Sequence, residues 1–269
     1  MSAWLGLPEL ASEQGQPVDN LLLWVHVFIA AVIVAWMIFG IYVLVRFRRK
    51  RQPQAIHEGA KSHATFYFEA GIFAFELLLL FGFSVPFWAS QVAAAPDSAE
   101  AGIEVRVIAQ QFAWNVHYPG ADGTFGATRP EFIDDQSNPV GIDREDPNGK
   151  DDIVTLNQLV LPVDQLALVR LTSKDVVHSF GLPELRVKQD AIPGLQSFAR
   201  FTPTVATAEF QKIKGDPART FEIVCSQLCG LGHYRMRGFL TVLPGEEFAQ
   251  WLVENAPSEE DADYDPFWE

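Results

Sequence analysis

The sequence predicts an all-β sandwich held outside a membrane and preceded by a two-helix transmembrane hairpin. Three observations carry this reading. The runs 21–45 and 66–89 are each long and apolar enough to cross a bilayer as a helix. A cluster of arginines separates them. From residue 103 onward, short alternating runs are punctuated by Pro, Gly and polar turns, the pattern of a sandwich. The chain has 269 residues, 48% of them apolar, which excludes global disorder, and its two cysteines exclude a disulfide scaffold.

The formal net charge of −14 is unevenly placed. Residues 1–96 carry 6 acidic and 6 basic side chains, and residues 97–269 carry 28 and 14. An acidic external domain argues against nucleic acid as a partner, because that binding needs a cationic footprint. It favours a basic protein.

Residues 1–20 hold Glu9, Glu13 and Asp19 and no Lys or Arg. That is the wrong flank for a signal peptide, so an external N-terminal segment is expected. Residues 21–92 then form the hairpin. The run 21–45 is uncharged and reaches roughly 37 Å as a helix. Arg46, Arg48, Arg49, Lys50 and Arg51 follow it directly, and the positive-inside rule places this short loop in the cytoplasm. Both termini therefore face outside. In the second span, Glu69 and Glu76 share one helix face. A carboxylate inside a span is costly and faces a partner or a water path, which makes Glu69 a candidate proton-path residue. His26 is expected to hydrogen-bond across to the other helix.

Residues 93–102 read as a linker and 103–245 as the sandwich. Strands are expected at 104–109, where Val105, Val107 and Ala109 share a face, and at 165–172, 196–201, 220–224 and 238–243. Residues 120–152 hold nine acids and three bases without periodicity. They are either a solvated insertion or part of a docking face for a basic partner. Residues 246–256 read as a helix through Phe248, Trp251 and Leu252, and an acidic tail closes the chain.

The chemistry concentrates in CSQLCGLGHYRM, which reads C-x3-C-x3-H-x2-M over Cys225, Cys229, His233 and Met236. Two thiolates, an imidazole and a thioether form a soft ligand set that favours copper. Two thiolates can bridge two metals, and a second metal then needs a second histidine, for which His178 is the best placed. Zinc on two Cys and two His fits the ligand count but leaves Met236 unused. A Cys225–Cys229 disulfide is permitted outside the cytoplasm but explains neither His233 nor Met236. The spacing excludes a C-x-x-C-H haem attachment.

The chain resembles subunit II of the haem–copper respiratory oxidases, of the cytochrome c oxidase type. The resemblance lies in the two spans with their basic loop, QFAWNVHYP (111–119), DVVHSFGLPELRVKQDAIPG (175–194) and CSQLCGLGHYRM (225–236). It implies a cupredoxin domain with a dinuclear copper centre, CuA. Cys225 and Cys229 would bridge both coppers. One copper would add His178 and Met236, the other His233 and the backbone carbonyl of Gln227. Phe112 stands where the family has its electron-entry Trp, with Trp114 two residues on. Gln227 stands where most members have a Glu that reaches a Mg/Mn ion at the subunit I boundary, so that ion site is expected to be altered. Glu69 resembles the carboxylate at the mouth of a proton channel in subunit I. The implied function is electron entry into a terminal respiratory oxidase, from a c-type cytochrome to haem in subunit I. The oxygen chemistry belongs to that partner, within a proton-translocating complex. Implied partners are subunit I, other oxidase subunits, the cytochrome donor and membrane lipid. The implied place is the bacterial inner membrane, with the copper domain on the periplasmic side. A CuA-containing subunit of a nitric-oxide reductase would carry nearly the same residues and differ in its partner subunit. A quinol oxidase subunit lacks the Cys, His and Met set, and a copper carrier favours exposed, exchangeable ligands.

Overall fold

A computed structural model describes residues 6–55, 57–58, 62–92 and 102–257. Most of the expected linker and the acidic tail lie outside the described residues. The chain divides into two compact units, Pro17–Ala94 on one hand and Met1–Gln16 with Ala95–Glu269 on the other.

The first unit holds α1 (Gly15–Arg46), α2 (Ala64–Leu79) and α3 (Val85–Val92). A π-helical turn at Leu80–Ser84 joins α2 to α3. It precedes Pro86, whose missing N–H and ring bulk an unbroken α-helical ladder cannot accommodate. Together 15–46 and 64–90 are two helices long and apolar enough to cross a membrane. Trp36, Met37, Ile38, Phe66 and Phe81 are exposed on them, and a helix apolar on every side needs lipid or another protein around it. Phe28 of α1 meets Phe75 of α2 with ring centroids 4.6 Å apart. His26 does not bridge the helices as expected. Its Nδ1 lies 2.7 Å from the Leu22 carbonyl one turn back, an acceptor that an imidazole can reach within its own helix.

The second unit is a sandwich of two five-stranded sheets. In the first, β3 (Ile153–Leu156), β2 (Ala113–Tyr118), β1 (Ile103–Gln110), β5 (Ala167–Ser173) and β8 (Ser197–Phe201) lie side by side in that order. In the second the order is β4 (Gln158–Pro162), β10 (Arg237–Leu243), β9 (Phe221–Cys225), β6 (His178–Leu182) and β7 (Val187–Ala191). Pairing is antiparallel except for β1 with β5 and β10 with β4. Val105, Val107 and Ala109 face inward as expected, and they meet Leu161, Phe180, Ile223, Leu240 and Val242 in one core. Helix α4 (Thr207–Lys214) stacks Phe210 on Phe221 at 4.2 Å, and α5 (Gly245–Glu254) sets Trp251 against Tyr118 at 5.0 Å.

The expected strands lie within a residue or two of β1, β5, β8, β9 and β10. β2, β4 and β6 escape pattern reading because nearly every residue in them is buried. Alternation marks a strand only when one of its faces meets water. The N-terminal segment also joins the sandwich: the Ala11 N–H donates to the Glu184 carbonyl at 2.8 Å and the Thr204 N–H to the Ala11 carbonyl at 2.9 Å. The Ser12 hydroxyl donates to the Leu185 carbonyl at 2.6 Å, which anchors residues 11–13 along an edge.

Residues 120–152 are largely exposed, yet their acids have structural work. Asp151 Oδ2 accepts from the N–H groups of Ala121 and Asp122, and Asp134 Oδ1 from those of Gln136 and Ser137. Asp134 makes a local turn, where a short carboxylate reaches backbone donors two and three residues on, whereas Asp151 ties together positions about thirty residues apart. Asp152 Oδ2 accepts from the Gly126 N–H and from His117 Nε2 at 2.7 Å. His117 is therefore fully buried. Burial holds its imidazole below the ordinary value against the opposing pull of Asp152.

Candidate metal centre

The donors converge at one end of the sandwich because of strand register. β6 and β9 pair with Phe180 opposite Cys225. Side chains two apart on a strand share a face, so His178 and Cys225 emerge on the same side of the sheet. The chain leaves β9 at Cys225, turns through Gly230, where φ is +127°, and passes Cys229 and His233 to reach Met236 just before β10. One strand end, one start of a neighbouring strand and the loop between β9 and β10 thus supply the whole set.

Cys225 and Cys229 are free thiols with their Sγ atoms 3.8 Å apart. Cys225 Sγ lies 3.9 Å from His178 Nδ1 and 3.2 Å from the Gln227 carbonyl oxygen. Cys229 Sγ lies 3.6 Å from His233 Nδ1 and 3.7 Å from Met236 Sδ. His178, Cys225, Cys229 and Met236 are buried. Burial, reinforced by the neighbouring Cys225 thiol, pushes the Cys229 thiol up to about 11. A bound metal must displace that proton.

The residues fit a soft metal pair. The two sulfurs are unbonded at 3.8 Å, and both would be available as thiolates to a soft metal. His178 and His233 would add imidazole nitrogens, and the Met236 thioether would add the soft donor that zinc leaves unused.

Neighbouring groups hold these donors in place. His178 Nε2 donates to Asp175 Oδ1 at 2.9 Å, which leaves Nδ1 with its lone pair directed toward the sulfurs. Asp175 Oδ2 accepts from the Gln111 N–H at 2.7 Å, and Gln111 Nε2 donates to the Cys229 carbonyl at 2.6 Å. Burial pushes the Asp175 carboxyl up, but the hydrogen bonds from His178, Gln111 and Val176 outweigh it and hold the group below its usual range. Asp175→Asn keeps the size and the acceptor for Gln111 but gives His178 a neutral partner. We expect copper affinity to fall about 10–100-fold with stability nearly unchanged, as read by competition with a chelator.

The two aromatic candidates occupy different places. Trp114 is fully buried, with its ring 6.2 Å from that of His178 and 5.7 Å from that of Phe180. Phe112 is half-buried against the ligand loop. A Cβ at Gly232 would fall 2.4 Å from Phe112 Cδ2, and one at Gly230 3.3 Å from its Cε1. The glycine before His233 therefore makes room for the Phe112 ring. Gly232→Ala is expected to destabilise the domain by about 1–3 kcal/mol and to weaken copper binding, since His233 is the next residue. Adding Phe112→Ala should restore the copper spectrum, which absorption of the reconstituted protein would show.

Gln227 is exposed on the loop between the cysteines. Glu69 and Glu76 lie on an exposed face of α2, with no ion pair or hydrogen bond among the described residues. Asp175 escaped the sequence reading. An acid three residues before a histidine carries no signal until strand geometry brings its oxygen to the ring.

The family model described as cytochrome C oxidase subunit II, periplasmic domain, matches residues 103–241. The alternative cytochrome c oxidase subunit 2 of Bradyrhizobium diazoefficiens is 30% identical over 255 residues, 93% of this chain and 84% of that protein. The cytochrome c oxidase subunit 2 of Cereibacter sphaeroides is 29% identical over 254 residues, covering 88% of this chain and 76% of its own. The solved periplasmic domain of subunit II of cytochrome oxidase from Bradyrhizobium japonicum is 27% identical, with a TM-score of 0.40, and spans 60% of this chain and 96% of that one. With a cupredoxin-like sandwich behind two apolar helices, and a match that runs along nearly its whole length, the chain belongs to the cytochrome c oxidase subunit II family.

Proposed function

We propose that this chain is the electron-entry subunit of a terminal respiratory oxidase, with a dinuclear copper centre held by Cys225, Cys229, His178, His233, Met236 and the Gln227 carbonyl. The carrying observation is the convergence of two free thiols, two Nδ1 atoms and a thioether, each 3.6–3.9 Å from a neighbouring sulfur. When bound, the copper pair supplies a one-electron relay between a c-type cytochrome and haem in subunit I. The chain's own residues keep that relay rigid. Burial of Cys225, Cys229 and Met236 excludes water, Asp175 orients His178, and Gln111 ties the ligand loop to the turn before β2. A donor set that cannot rearrange leaves little reorganisation to oppose electron transfer.

The surroundings support a choice of partners. Leu231 is 97% exposed and Tyr234 84% exposed on the ligand loop near Gln227, an apolar rim suited to subunit I. The cytochrome docks on the acidic exterior, which includes the exposed Asp122, Glu131 and Asp135. Phe112, half-buried against the ligand loop, occupies the entry position. Glu69 faces subunit I at the mouth of its proton path. Gln227, a neutral amide, is a weaker ligand than the family's Glu for Mg/Mn at the subunit boundary, so that ion site is altered. The spans lie in a bacterial inner membrane, with the arginine cluster in the cytoplasm and the sandwich in the periplasm.

The test is copper reconstitution of the full chain in detergent, followed by electron paramagnetic resonance. An unpaired electron shared equally by two copper nuclei gives a richer hyperfine pattern than a single copper. A single-copper pattern, or preferential retention of zinc, overturns the proposal.

A further inference from the structure

The face of the first sheet turned away from the core carries a second cluster of polar groups, independent of the copper reading. Strand alternation sends Glu104 and Arg106 of β1, His117 of β2, and Arg170 and Thr172 of β5 outward. The 120–152 segment covers part of this face. A cavity of about 160 Å³ lies beneath it, whose polar lining is Arg106, His117, Thr128, Arg170, Thr172 and Gln196. No carboxylate lines it, although the domain around it is strongly acidic.

The charges are not all matched. Glu104 takes Arg170, with Nε and Oε1 2.5 Å apart, and Asp152 takes His117 at 2.7 Å. Neither carboxylate makes an ion pair with Arg106 among the described residues. Its buried Nε has no protein acceptor, and its guanidinium packs 3.9 Å from the centroid of the Phe125 ring. Burial lowers its proton affinity, with Glu104 and Asp152 opposing from a distance, but a guanidinium stays charged at neutral pH. Arg106 as a whole is half-buried, but an N–H withdrawn from water without an acceptor is costly, and a charge-assisted hydrogen bond to an anion offsets that cost.

We propose that this cavity is a binding site for a small oxoanion, with Arg106 as its principal ligand and the Thr128 hydroxyl and the Gln196 amide as further donors. The volume decides the size class: it falls below the roughly 300–1,000 Å³ of pockets for drug-sized ligands. It suits inorganic phosphate or a short carboxylate. Thr128 comes from the covering segment and Arg106 from the sheet, so an occupant pins one to the other.

The test uses the full chain in detergent and follows thermal unfolding in phosphate, in acetate and in chloride at matched ionic strength and neutral pH. Phosphate or acetate is expected to raise the midpoint saturably by about 2–4 °C over chloride. Arg106→Gln is expected to abolish the difference while leaving the copper spectrum intact. Equal midpoints in all three salts overturn the proposal, as does a difference that survives in Arg106→Gln. Should that variant fail to fold, Thr128→Val removes one donor without a charge. A several-fold weaker affinity there supports the site, and an unchanged one overturns it.

Discussion

Cys229→Ser is expected to abolish the dinuclear copper signal. Cys229 Sγ lies within 3.8 Å of Cys225 Sγ, His233 Nδ1 and Met236 Sδ, so one substitution removes the sulfur common to most of the donor set. A serine hydroxyl is a hard, weakly acidic ligand and does not replace a bridging thiolate toward copper. Copper content per chain should fall at least by half, and any residual copper should show the hyperfine pattern of a single nucleus. Metal analysis with paramagnetic resonance on the full chain checks both. The fold should survive, because Cys229 sits in a loop and makes no strand pairing. Retention of the coupled pair in this variant would refute the proposed ligand set.

Trp114→Ala should cost about 3–5 kcal/mol of stability, the largest loss expected from any single core truncation here. Trp114 is fully buried between His178 and Phe180 and lies 3.3 Å from where a Cβ on Gly238 of β10 would sit. Truncation therefore opens a cavity directly behind His178, a residue of the proposed ligand set. Denaturant unfolding of the full chain measures the stability. The same variant should bind copper more weakly, because His178 loses the surface that limits its ring. Trp114→Phe separates packing from electron relay. It retains an aromatic ring and should keep most of the stability and the copper spectrum. A fall in electron-transfer rate with both intact would assign Trp114 a relay role as well.

Legibility in the sequence followed physical exposure. The spans were readable because lipid demands uninterrupted apolar length, and length is a one-dimensional property. β1 was readable because Glu104, Arg106 and Gln110 face outward while Val105, Val107 and Ala109 face inward. β2 and β6, buried on both faces, presented Trp114, His117 and His178 without a strand pattern. His117 could be placed at hydrogen-bonding distance from nothing in particular until Asp152, 35 residues away, closed on it. The acids of 120–152 read only as charge, although several of them fold the segment through their backbone contacts.

The sequence by itself determined the two apolar helices, the basic loop between them, the sandwich class and the chemical identity of the donor set. These depend on composition and local spacing, which survive in one dimension. Only the tertiary structure decided which atoms meet: Asp175 behind His178, Phe112 against Gly232, residues 11–13 along the edge of the sandwich, and Arg106 facing a cavity without a carboxylate partner. Those meetings depend on strand register and loop closure between residues far apart in the chain, and no local pattern encodes them.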